Sequence, residues 1–455
     1  MGRHLVIVGG GSAAVAAARA MAGRGGRATV IHDGLPLGGT CLHVGCVPSK
    51  YLIRAAEHLH RAETSGFPGL RPRGAEVDHP SLFRDLRELV RELRERNYEA
   101  TLPAEEGIEL IPGHGRLVSG TEVRVDGRVV RGDAVLVATG SRTNPAESRG
   151  LPPEKVLMNE NLFERDRLPE SVLVIGGGYI SVELSQMMTR FGVRVTTLQR
   201  SGTVLSSQPE WLGSALGGFM REEGGNLICG TDLHGLEEGG EGVVARATVG
   251  GEERKFTAEC VLMARGRLGN TDDLGLESVG VRPDAHGFVD TNPTLQTACP
   301  SVYAAGDVLG GHMLVYTASA EAERVVGHLY GETPRSWEPE AVPWVVFTDP
   351  QAAGVGWSAE EARARGYEVE EAELPVNRWP RFSTMREHRG VLKLFRNPKD
   401  DTLLGARALC PEGGDLMSEL SLIRRHRIPL REVADSLSPY LTLNEGIQKC
   451  AAKFY

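Results

Sequence analysis

The chain reads Gly38-Gly39-Thr40-Cys41-Leu42-His43-Val44-Gly45-Cys46-Val47-Pro48-Ser49-Lys50 over residues 38–50, with four residues between its two cysteines. Joining such a pair within a helical turn requires a distorted backbone, which the flanking glycines tolerate. A strained disulfide is easier to reduce than a structural one. Pro48 can begin a helix, and a thiol beside a helix start favours the thiolate. The stretch therefore predicts a redox-active cysteine pair.

Two other interpretations of the pair stay open at this point. A structural zinc site needs two more close-set Cys or His ligands, whereas only His43 lies between the cysteines and no second pair follows. Two unreactive cysteines would need no partner at all.

Composition sets the outer limits. A chain of 455 residues suggests about three domains, and its abundant glycine and ordinary apolar content predict an α/β protein. The net charge of -9 argues against a nucleic-acid partner, and no apolar run reaches membrane-spanning length. Seven cysteines, an odd number, predict a reduced cytoplasmic protein. Gly9 to Gly11 and Arg19 interrupt the apolar start and disfavour a signal peptide.

Two segments predict dinucleotide-binding β-α-β units. In the first, a strand over residues 5–8 leads into Gly9-x-Gly11-x-x-Ala14 and a small-residue helix. In the second, a strand ending at Ile175 leads into Gly176-Gly177-Gly178 and another helix. Such glycines let backbone N–H groups approach a pyrophosphate at a helix start, and two such units in one chain are far more specific than one.

The residue after the second strand of each unit normally selects the ribose. An acidic residue there would bind a ribose hydroxyl. In the first unit His32 stands at that place and Asp33 follows, so Asp33 is the candidate ligand after a shifted turn, or the adenosine is held more loosely. In the second unit Gln199 and Arg200 replace the acid, and arginine attracts a 2′-phosphate. We therefore expect NADPH rather than NADH.

Together these motifs resemble the flavin-dependent pyridine-nucleotide disulfide oxidoreductases, a family that includes glutathione reductase, lipoamide dehydrogenase and mercuric reductase. Residues 134–140 and 301–307 also match its patterns. The resemblance implies an α/β fold with two Rossmann-like domains and an α+β C-terminal dimerisation domain. We expect an FAD-binding domain over residues 1–144 and 266–336, an NAD(P)H-binding domain over 145–265, and the interface domain of a homodimer over 337–455.

The resemblance also implies roles for individual residues. Cys46 would lie next to the flavin and Cys41 would attack substrate, while Lys50 and Glu183 match an ion pair beside the flavin and Tyr179 matches the aromatic that covers the nicotinamide pocket. The remaining implied cofactor ligands are, for FAD, Gly9, Gly11, Ala14, Asp33, Gly39, Thr40, Lys50, Thr139, Gly140 and Asp307, and for NADPH, Gly176, Gly178, Arg200 and Gly266.

The C-terminal segment points to one branch of the family. Disulfide reductases carry a His-Pro-x-x-x-Glu sequence whose His transfers protons. Here Tyr440 stands where that His belongs, and the glutamate is present as Glu445. A phenol titrates near pH ~10 and cannot replace imidazole as a base. The Pro-Tyr-Leu-Thr pattern resembles mercuric reductases, although a packed core tyrosine is the alternative.

Two departures from that branch stand out. Mercuric reductases usually end in a Cys-Cys pair and many carry an N-terminal metal-binding domain, whereas this sequence begins at the first strand and ends Lys453-Phe454-Tyr455. Cys450 is either a lone substitute thiol or a small apolar residue on a terminal helix.

We therefore predict a cytoplasmic, FAD- and NADPH-dependent reductase in which Cys41 and Cys46 transiently bind Hg(II), presented by small thiols, and return it as Hg(0). The alternatives are a reductase of another acceptor, such as a disulfide, a quinone or another soft metal, and a flavin-bearing sensor without turnover.

Overall fold

The structure is a computed structural model that describes residues 2–64, 66–71, 74–240, 242–333 and 338–455. Its strands are β1 (His4–Val8), β2 (Arg27–His32), β3 (Ile108–Pro112), β4 (Arg116–Ser119), β5 (Glu122–Val125), β6 (Arg128–Arg131), β7 (Ala134–Val137), β8 (Ser141–Thr143), β9 (Val156–Leu157), β10 (Ser171–Ile175), β11 (Arg194–Gln199), β12 (Asn226–Cys229), β13 (Thr231–Gly239), β14 (Gly242–Val249), β15 (Glu252–Ala258), β16 (Cys260–Met263), β17 (Arg267–Gly269), β18 (Val302–Ala304), β19 (Trp344–Val346), β20 (Gln351–Gly356), β21 (Glu370–Pro375), β22 (Val391–Asn397) and β23 (Thr402–Cys410).

The α-helices alternate with these strands. They are α1 (Ser12–Ala22), α2 (Gly39–His43), α3 (Cys46–Glu63), α4 (His79–Arg94), α5 (Asn159–Leu162), α6 (Tyr179–Arg190), α7 (Glu210–Glu222), α8 (Val315–Leu329), α9 (Ala359–Ala364), α10 (Pro380–Met385), α11 (Leu416–Arg425), α12 (Leu430–Asp435) and α13 (Glu445–Ala451).

The first sheet has the order β18-β7-β1-β2-β3, and β1 pairs in parallel with both β2 and β7. Its central strand is a continuous apolar run, as expected for a parallel sheet covered on both faces. Alanines of α1, together with α8, pack on one face, and the small sheet β4-β5-β6 packs on the other. Because β18 comes from residues 302–304, the chain leaves this unit and returns to it.

The second sheet repeats the arrangement with the order β12-β11-β10-β16-β9. Helix α6 follows β10 and packs with α3 and α4 on one face, while the antiparallel sheet β13-β14-β15 covers the other. The short antiparallel pair β8 and β17 joins the two units. Two βαβ units in one chain confirm the predicted α/β class with two Rossmann-like halves.

The C-terminal unit is an antiparallel sheet of order β19-β20-β23-β22-β21. Helices α11 to α13 pack against it around the buried Trp379. This confirms the predicted α+β C-terminal part. The predicted boundaries at residues 144 and 265 stay predictions, and the predicted start of this unit, Trp337, lies outside the described residues together with residue 336.

Two helix boundaries differ from the sequence prediction. Helix α3 begins at Cys46 rather than at Pro48, because the break at Gly45 (φ -131°, ψ -111°) already ends the preceding turn. Pro48 still falls in the first turn, where its missing N–H is no loss. The helical spacing of apolar residues over 80–97 predicts one helix, whereas α4 ends at Arg94 and the chain continues as one π-helical turn, Glu95–Glu99.

Among the described residues, no helix combines the length and the apolar character needed to cross a membrane.

Candidate active site

The cysteine pair lies at a break between two helices. Cys41 belongs to α2 and Cys46 is the first residue of α3. A Cβ on Gly45 would lie 2.8 Å from the Thr40 carbonyl oxygen, so the turn between the cysteines requires glycine. A Cβ on Gly39, at φ +62°, would lie 2.8 Å from the Cα of Gly11. The cysteine segment is therefore packed directly against the first glycine turn.

The two thiols are hydrogen bonded to each other and differ in acidity. The hydrogen bond from Cys41 lowers the pKa of Cys46 to about 7, burial opposes this, and the charge of Lys50 supports it. The same hydrogen bond, together with burial, raises the pKa of Cys41. Cys46 keeps an exposed surface, although partial burial counts against its thiolate. Cys46 is therefore the more acidic of the two thiols and ionises first, while Cys41 keeps its proton.

An ion pair stands beside Cys46. Lys50, one turn further along α3, places its Nζ 2.7 Å from Oε2 of Glu183 on α6. Glu183 is buried, and its Oε1 accepts the backbone N–H of Phe347 at 2.8 Å. The Lys50 ammonium also lies 4.9 Å from the centre of the Phe347 ring. Residues from all three units thus meet at this point, and Glu183 is not an ordinary surface carboxylate.

The glycine turn of the first unit has the geometry of a phosphate cradle. Gly9 has φ +126°, and a Cβ there would lie 2.2 Å from the Ala138 carbonyl oxygen. Gly11 caps α1 without any side-chain hydrogen bond, and a Cβ on it would meet nothing within 4 Å. Ala14 is buried against the sheet. The first-turn N–H groups of α1 are therefore uncapped and accessible, which fits a pyrophosphate.

The second glycine turn has the same geometry. Gly176 has φ +121°, and a Cβ there would lie 2.3 Å from the Ala264 carbonyl oxygen. Gly178 caps α6 without a side-chain hydrogen bond and faces open space. A second pyrophosphate fits here.

The ends of β2 and β11 show which residues face these turns. A Cβ on Gly10 would lie 3.0 Å from the Cβ of His32, and a Cβ on Gly177 would lie 2.7 Å from the Gln199 side chain. His32 and Gln199 therefore occupy equivalent places.

The residues one position further along differ between the two units. The Asp33 carboxylate is 2.8 Å from Nδ1 of His114. Arg200 is exposed, and its side chain has no ion pair or hydrogen bond within the part of the chain that the structure describes. The second unit therefore presents an accessible cation where the first presents a paired carboxylate.

Asp307 belongs to a hydrogen-bond network that reaches the cysteine segment. Ser141 Oγ donates to Asp307 Oδ2 at 3.0 Å, and Arg267 donates to Ser141 Oγ at 2.7 Å. Arg267 also lies 3.5 Å from Asn159 Oδ1, and Asn159 Nδ2 donates to the Val44 carbonyl between the cysteines at 2.9 Å. No local motif in the sequence points to Ser141 or Asn159, because their partners Asp307 and Val44 lie far away in the chain.

Three further predicted residues lie where the first two units connect. Thr139 Oγ1 donates to the Asn270 carbonyl at 2.6 Å, and Asn270 N–H donates to the Gly140 carbonyl at 3.0 Å. The Gly266 carbonyl accepts the Asn144 N–H at 3.1 Å. These contacts tie the end of β7 to the segment that leaves the second sheet.

Tyr179 is the first residue of α6 and faces the C-terminal unit. Its ring stacks on Trp344 with centroids 5.7 Å apart and an interplanar angle of 16°. Its hydroxyl accepts a hydrogen bond from Gln208 Nε2 at 3.0 Å. Burial raises the pKa of Tyr179, so the phenol stays protonated at neutral pH.

The C-terminal candidates divide into exposed and buried residues. Tyr440 is 72% exposed, so it is not a core aromatic within the single chain. Glu445 is buried, lies 2.6 Å from Lys449 Nζ and accepts the Leu441 N–H at 3.2 Å, which holds the segment beside Tyr440. Among the described residues of one chain, no hydrogen bond or ion pair joins Tyr440 or Glu445 to the cysteine pair.

Cys450 is fully buried, and burial raises its pKa to about 12. The interpretation of Cys450 as a substitute surface thiol is therefore wrong, and its prediction as a small core residue is confirmed. Within the described residues, no group of three or more His, Cys, Asp or Glu side chains is arranged to hold a metal ion.

Comparison with known proteins gives the same picture over the whole chain. The model of the pyridine nucleotide-disulphide oxidoreductases matches residues 3–322, and the model of their dimerisation domain matches residues 342–451. The chain is 34% identical to the mercuric reductase of Staphylococcus aureus over 99% of this chain and 82% of that one. It is 33% identical to the mercuric reductase of Streptomyces lividans over 100% of this chain and 96% of that one.

Solved structures agree. The HOCl-induced flavoprotein disulfide reductase RclA from Escherichia coli, in a Cu(II) complex, superposes with a TM-score of 0.86 at 25% identity, covering 98% of this chain and 99% of that one. LpdA from Mycobacterium tuberculosis superposes with a TM-score of 0.89 at 26% identity over 100% of both chains. The chain thus belongs to the flavin-dependent pyridine nucleotide-disulphide oxidoreductase family and carries that family's dimerisation domain.

Proposed function

We propose that this protein is an NADPH- and FAD-dependent reductase that uses the Cys41–Cys46 pair to reduce Hg(II) to Hg(0). The observation that carries the proposal is the cysteine pair itself. An acidic Cys46 and a neutral Cys41 lie beside the Lys50–Glu183 ion pair and against the first glycine turn. The mercuric reductases among the relatives support the choice of acceptor.

When bound, FAD would accept a hydride from the nicotinamide and pass on the electron pair of that hydride. In this proposal the first glycine turn and its surroundings hold FAD, with Asp307 oriented by Ser141 and Arg267. The remaining ligands in the proposal are Gly9, Gly11, Ala14, Asp33, Gly39, Thr40, Lys50, Thr139 and Gly140. The Lys50 ammonium, fixed by Glu183, would place a positive charge beside the reduced cofactor.

The second glycine turn would hold NADPH. Gly176, Gly178 and Gly266 would leave room for the backbone to approach the pyrophosphate. Arg200 is exposed and has no side-chain partner among the described residues, which supports a 2′-phosphate there, since a guanidinium binds phosphate in bidentate fashion. Tyr179 would cover the nicotinamide position and move aside when the cofactor enters.

The cysteine pair suits a soft metal ion. Two thiolates bind the soft ion Hg(II) in linear geometry and favour it over harder ions. Binding of Hg(II) to the pair releases the proton of Cys41. Two electrons, ultimately from NADPH, would convert the bound ion to Hg(0) and leave both cysteines as thiolates. In a homodimer the exposed Tyr440, whose segment is held by Glu445, would face the cysteines of the other subunit. Delivery of Hg(II) as a complex with small thiols fits a cytoplasmic enzyme.

The experiment is NADPH oxidation stimulated by micromolar Hg(II) in excess thiol, with trapping of volatile mercury. Wild type is expected to turn over, and Cys46→Ser is expected to lose about a hundredfold or more of that activity because the proposed bis-thiolate site is gone. Cys299→Ser is the matched control, since Cys299 lies near Ser301 and away from the site. No stimulation of wild type by Hg(II) would reject the proposal.

A second acceptor, Cu(II), is favoured by one specific observation. The structurally similar RclA was solved as a Cu(II) complex. Cu(II), disulfides and quinones are therefore offered in parallel to the same preparation. A kcat/KM for one of these that exceeds the value for Hg(II) would replace the acceptor and leave the electron path unchanged.

A further inference from the structure

We infer that Gln208 is a positioning residue that latches Tyr179 in its closed place and thereby sets how readily the reduced nicotinamide enters. The inference rests on the proposed function, because it takes Tyr179 as the cover of the nicotinamide pocket.

A chain of two hydrogen bonds forms the latch. Arg407 Nε donates to Gln208 Oε1 at 3.1 Å, and Gln208 Nε2 donates to the Tyr179 hydroxyl at 3.0 Å. A guanidinium can only donate, so Arg407 fixes which end of the amide points toward it and which end points to the phenol. Ser207 also lies within hydrogen-bonding reach of that phenol. The Tyr179 hydroxyl is therefore held by the segment before α7.

A stack of side chains forms a second route between the same two residues. The Tyr179 ring stacks on Trp344, and the Arg407 guanidinium lies 5.6 Å from the centre of the Trp344 ring. Tyr179, Trp344, Arg407 and Gln208 therefore close a ring of four contacts. Such a ring holds the aromatic more firmly than either route alone, because all members must shift together.

The anchor of this ring is a buried arginine that is hydrogen bonded to backbone carbonyl groups. Arg407 is 3% exposed, and its Nη1 donates to the carbonyl groups of Val355, Gly356 and Ala406 in the C-terminal sheet. Its hydrogen-bond partner Gln208 lies 199 positions away in the sequence. Tyr179 is thus held to the sheet of the C-terminal unit, although it begins a helix of the second unit.

The loop that carries Gln208 is also bound to the second glycine turn. Leu205 N–H donates to the Gly177 carbonyl at 2.7 Å, and Gln208 N–H donates to the Leu205 carbonyl at 2.7 Å. A nucleotide that occupies this turn would therefore lie against the same loop, and movement of the loop would shift the hydrogen bond to the Tyr179 hydroxyl.

The latch predicts that removing one of its contacts tightens the binding of NADPH. When only the open state binds, the apparent Kd equals the intrinsic Kd divided by the open fraction. Removing the hydrogen bond to the phenol raises that fraction, so binding of NADPH becomes tighter. Simple damage to the pocket would weaken binding instead.

The test is anaerobic stopped-flow reduction of the FAD-loaded enzyme by NADPH, without any metal acceptor. Gln208→Leu is expected to lower the apparent Kd for NADPH about fivefold, the factor for one ordinary hydrogen bond, with a limiting rate within about twofold of wild type. Tyr179→Phe keeps the stack on Trp344 and is expected to act in the same direction. Tyr179→Phe also tests the latch on its own if Gln208→Leu does not fold.

Gln186→Leu is the matched control. Gln186 also joins α6 to the C-terminal unit, through the Asp349 carbonyl at 2.8 Å, but it does not touch the phenol. Its apparent Kd is expected to stay at the wild-type value. An unchanged or raised Kd in both Gln208→Leu and Tyr179→Phe would overturn the latch, whereas failure of NADPH to reduce wild type would overturn the proposed function itself.

Discussion

The two glycine turns of this protein are almost identical in backbone and different in surroundings. Gly11 and Gly178 cap their helices at φ -84°, ψ -169° and φ -81°, ψ -172°, and neither helix start has a side-chain cap. Gly9 and Gly176 have φ +126° and +121°. The shared backbone fits a pyrophosphate in both units, so a difference between the two proposed cofactors would come from side chains around the turns.

Those side chains differ in two ways. Asp33 after β2 is paired with His114, whereas Arg200 after β11 is exposed. The first turn is packed against the cysteine segment through Gly39, whereas the second lies beside Tyr179. In the proposed function, one backbone motif therefore serves two tasks, electron delivery and electron acceptance, according to what is packed next to it.

The largest expected effect comes from placing a side chain in each of the two glycine turns separately. A Cβ at Gly11 or at Gly178 meets no protein atom within 4 Å, so a valine side chain starts in open space at either position and projects toward the proposed pyrophosphate. Gly11→Val is expected to yield protein with little bound FAD. Gly178→Val is expected to retain FAD but to raise KM for NADPH about a hundredfold. Flavin content of the purified proteins and steady-state kinetics check both, and a colourless Gly178→Val protein would break the assignment of the two turns.

An intermediate effect is expected at the strand ends. Arg200→Ala is expected to lower kcat/KM for NADPH about tenfold and to leave the value for NADH within about twofold, because only NADPH carries the 2′-phosphate. Asp33→Asn, at the corresponding place in the first unit, is expected to change the Kd of FAD less than about threefold, since its carboxylate is exposed. Equal losses for NADPH and NADH in Arg200→Ala would contradict the proposed phosphate contact.

The smallest effect concerns the ion pair that joins the two units. The Lys50 charge lowers the pKa of Cys46 and the Glu183 charge raises it. Since the pKa of Cys46 is about 7, its thiolate is present above that pH and is lost as the pH falls through it. Lys50→Met is expected to shift this transition to higher pH, and Glu183→Gln to lower pH.

The pH dependence of Cys46 alkylation in the reduced enzyme measures both shifts. Each variant is expected to move the midpoint of this transition by about half a pH unit, in opposite directions. Lys399→Met, an exposed lysine far along the chain, is the control. Shifts of the same sign in both variants would show that packing rather than charge sets the acidity of Cys46.

The sequence predicted those parts of the site that depend on local spacing. The glycine turns, the cysteine segment and the strands that flank them follow from residues within about one turn of each other. It could not predict contacts between distant segments. Asn159 reaches Val44, and Gln208 reaches Arg407, only because separate units pack together. The local pattern around Glu183 is that of an ordinary helix carboxylate, and only the family resemblance identifies its role.

The central claim is that electrons from NADPH reach the Cys41–Cys46 pair. The most direct test treats the oxidised, FAD-loaded protein with a stoichiometric amount of NADPH without oxygen, alkylates free thiols and maps the labelled peptides. New label at both Cys41 and Cys46, absent without NADPH and formed far more slowly in the Gly178→Val protein, is the predicted result. Loss of the flavin absorbance with no new label at either cysteine would contradict the account.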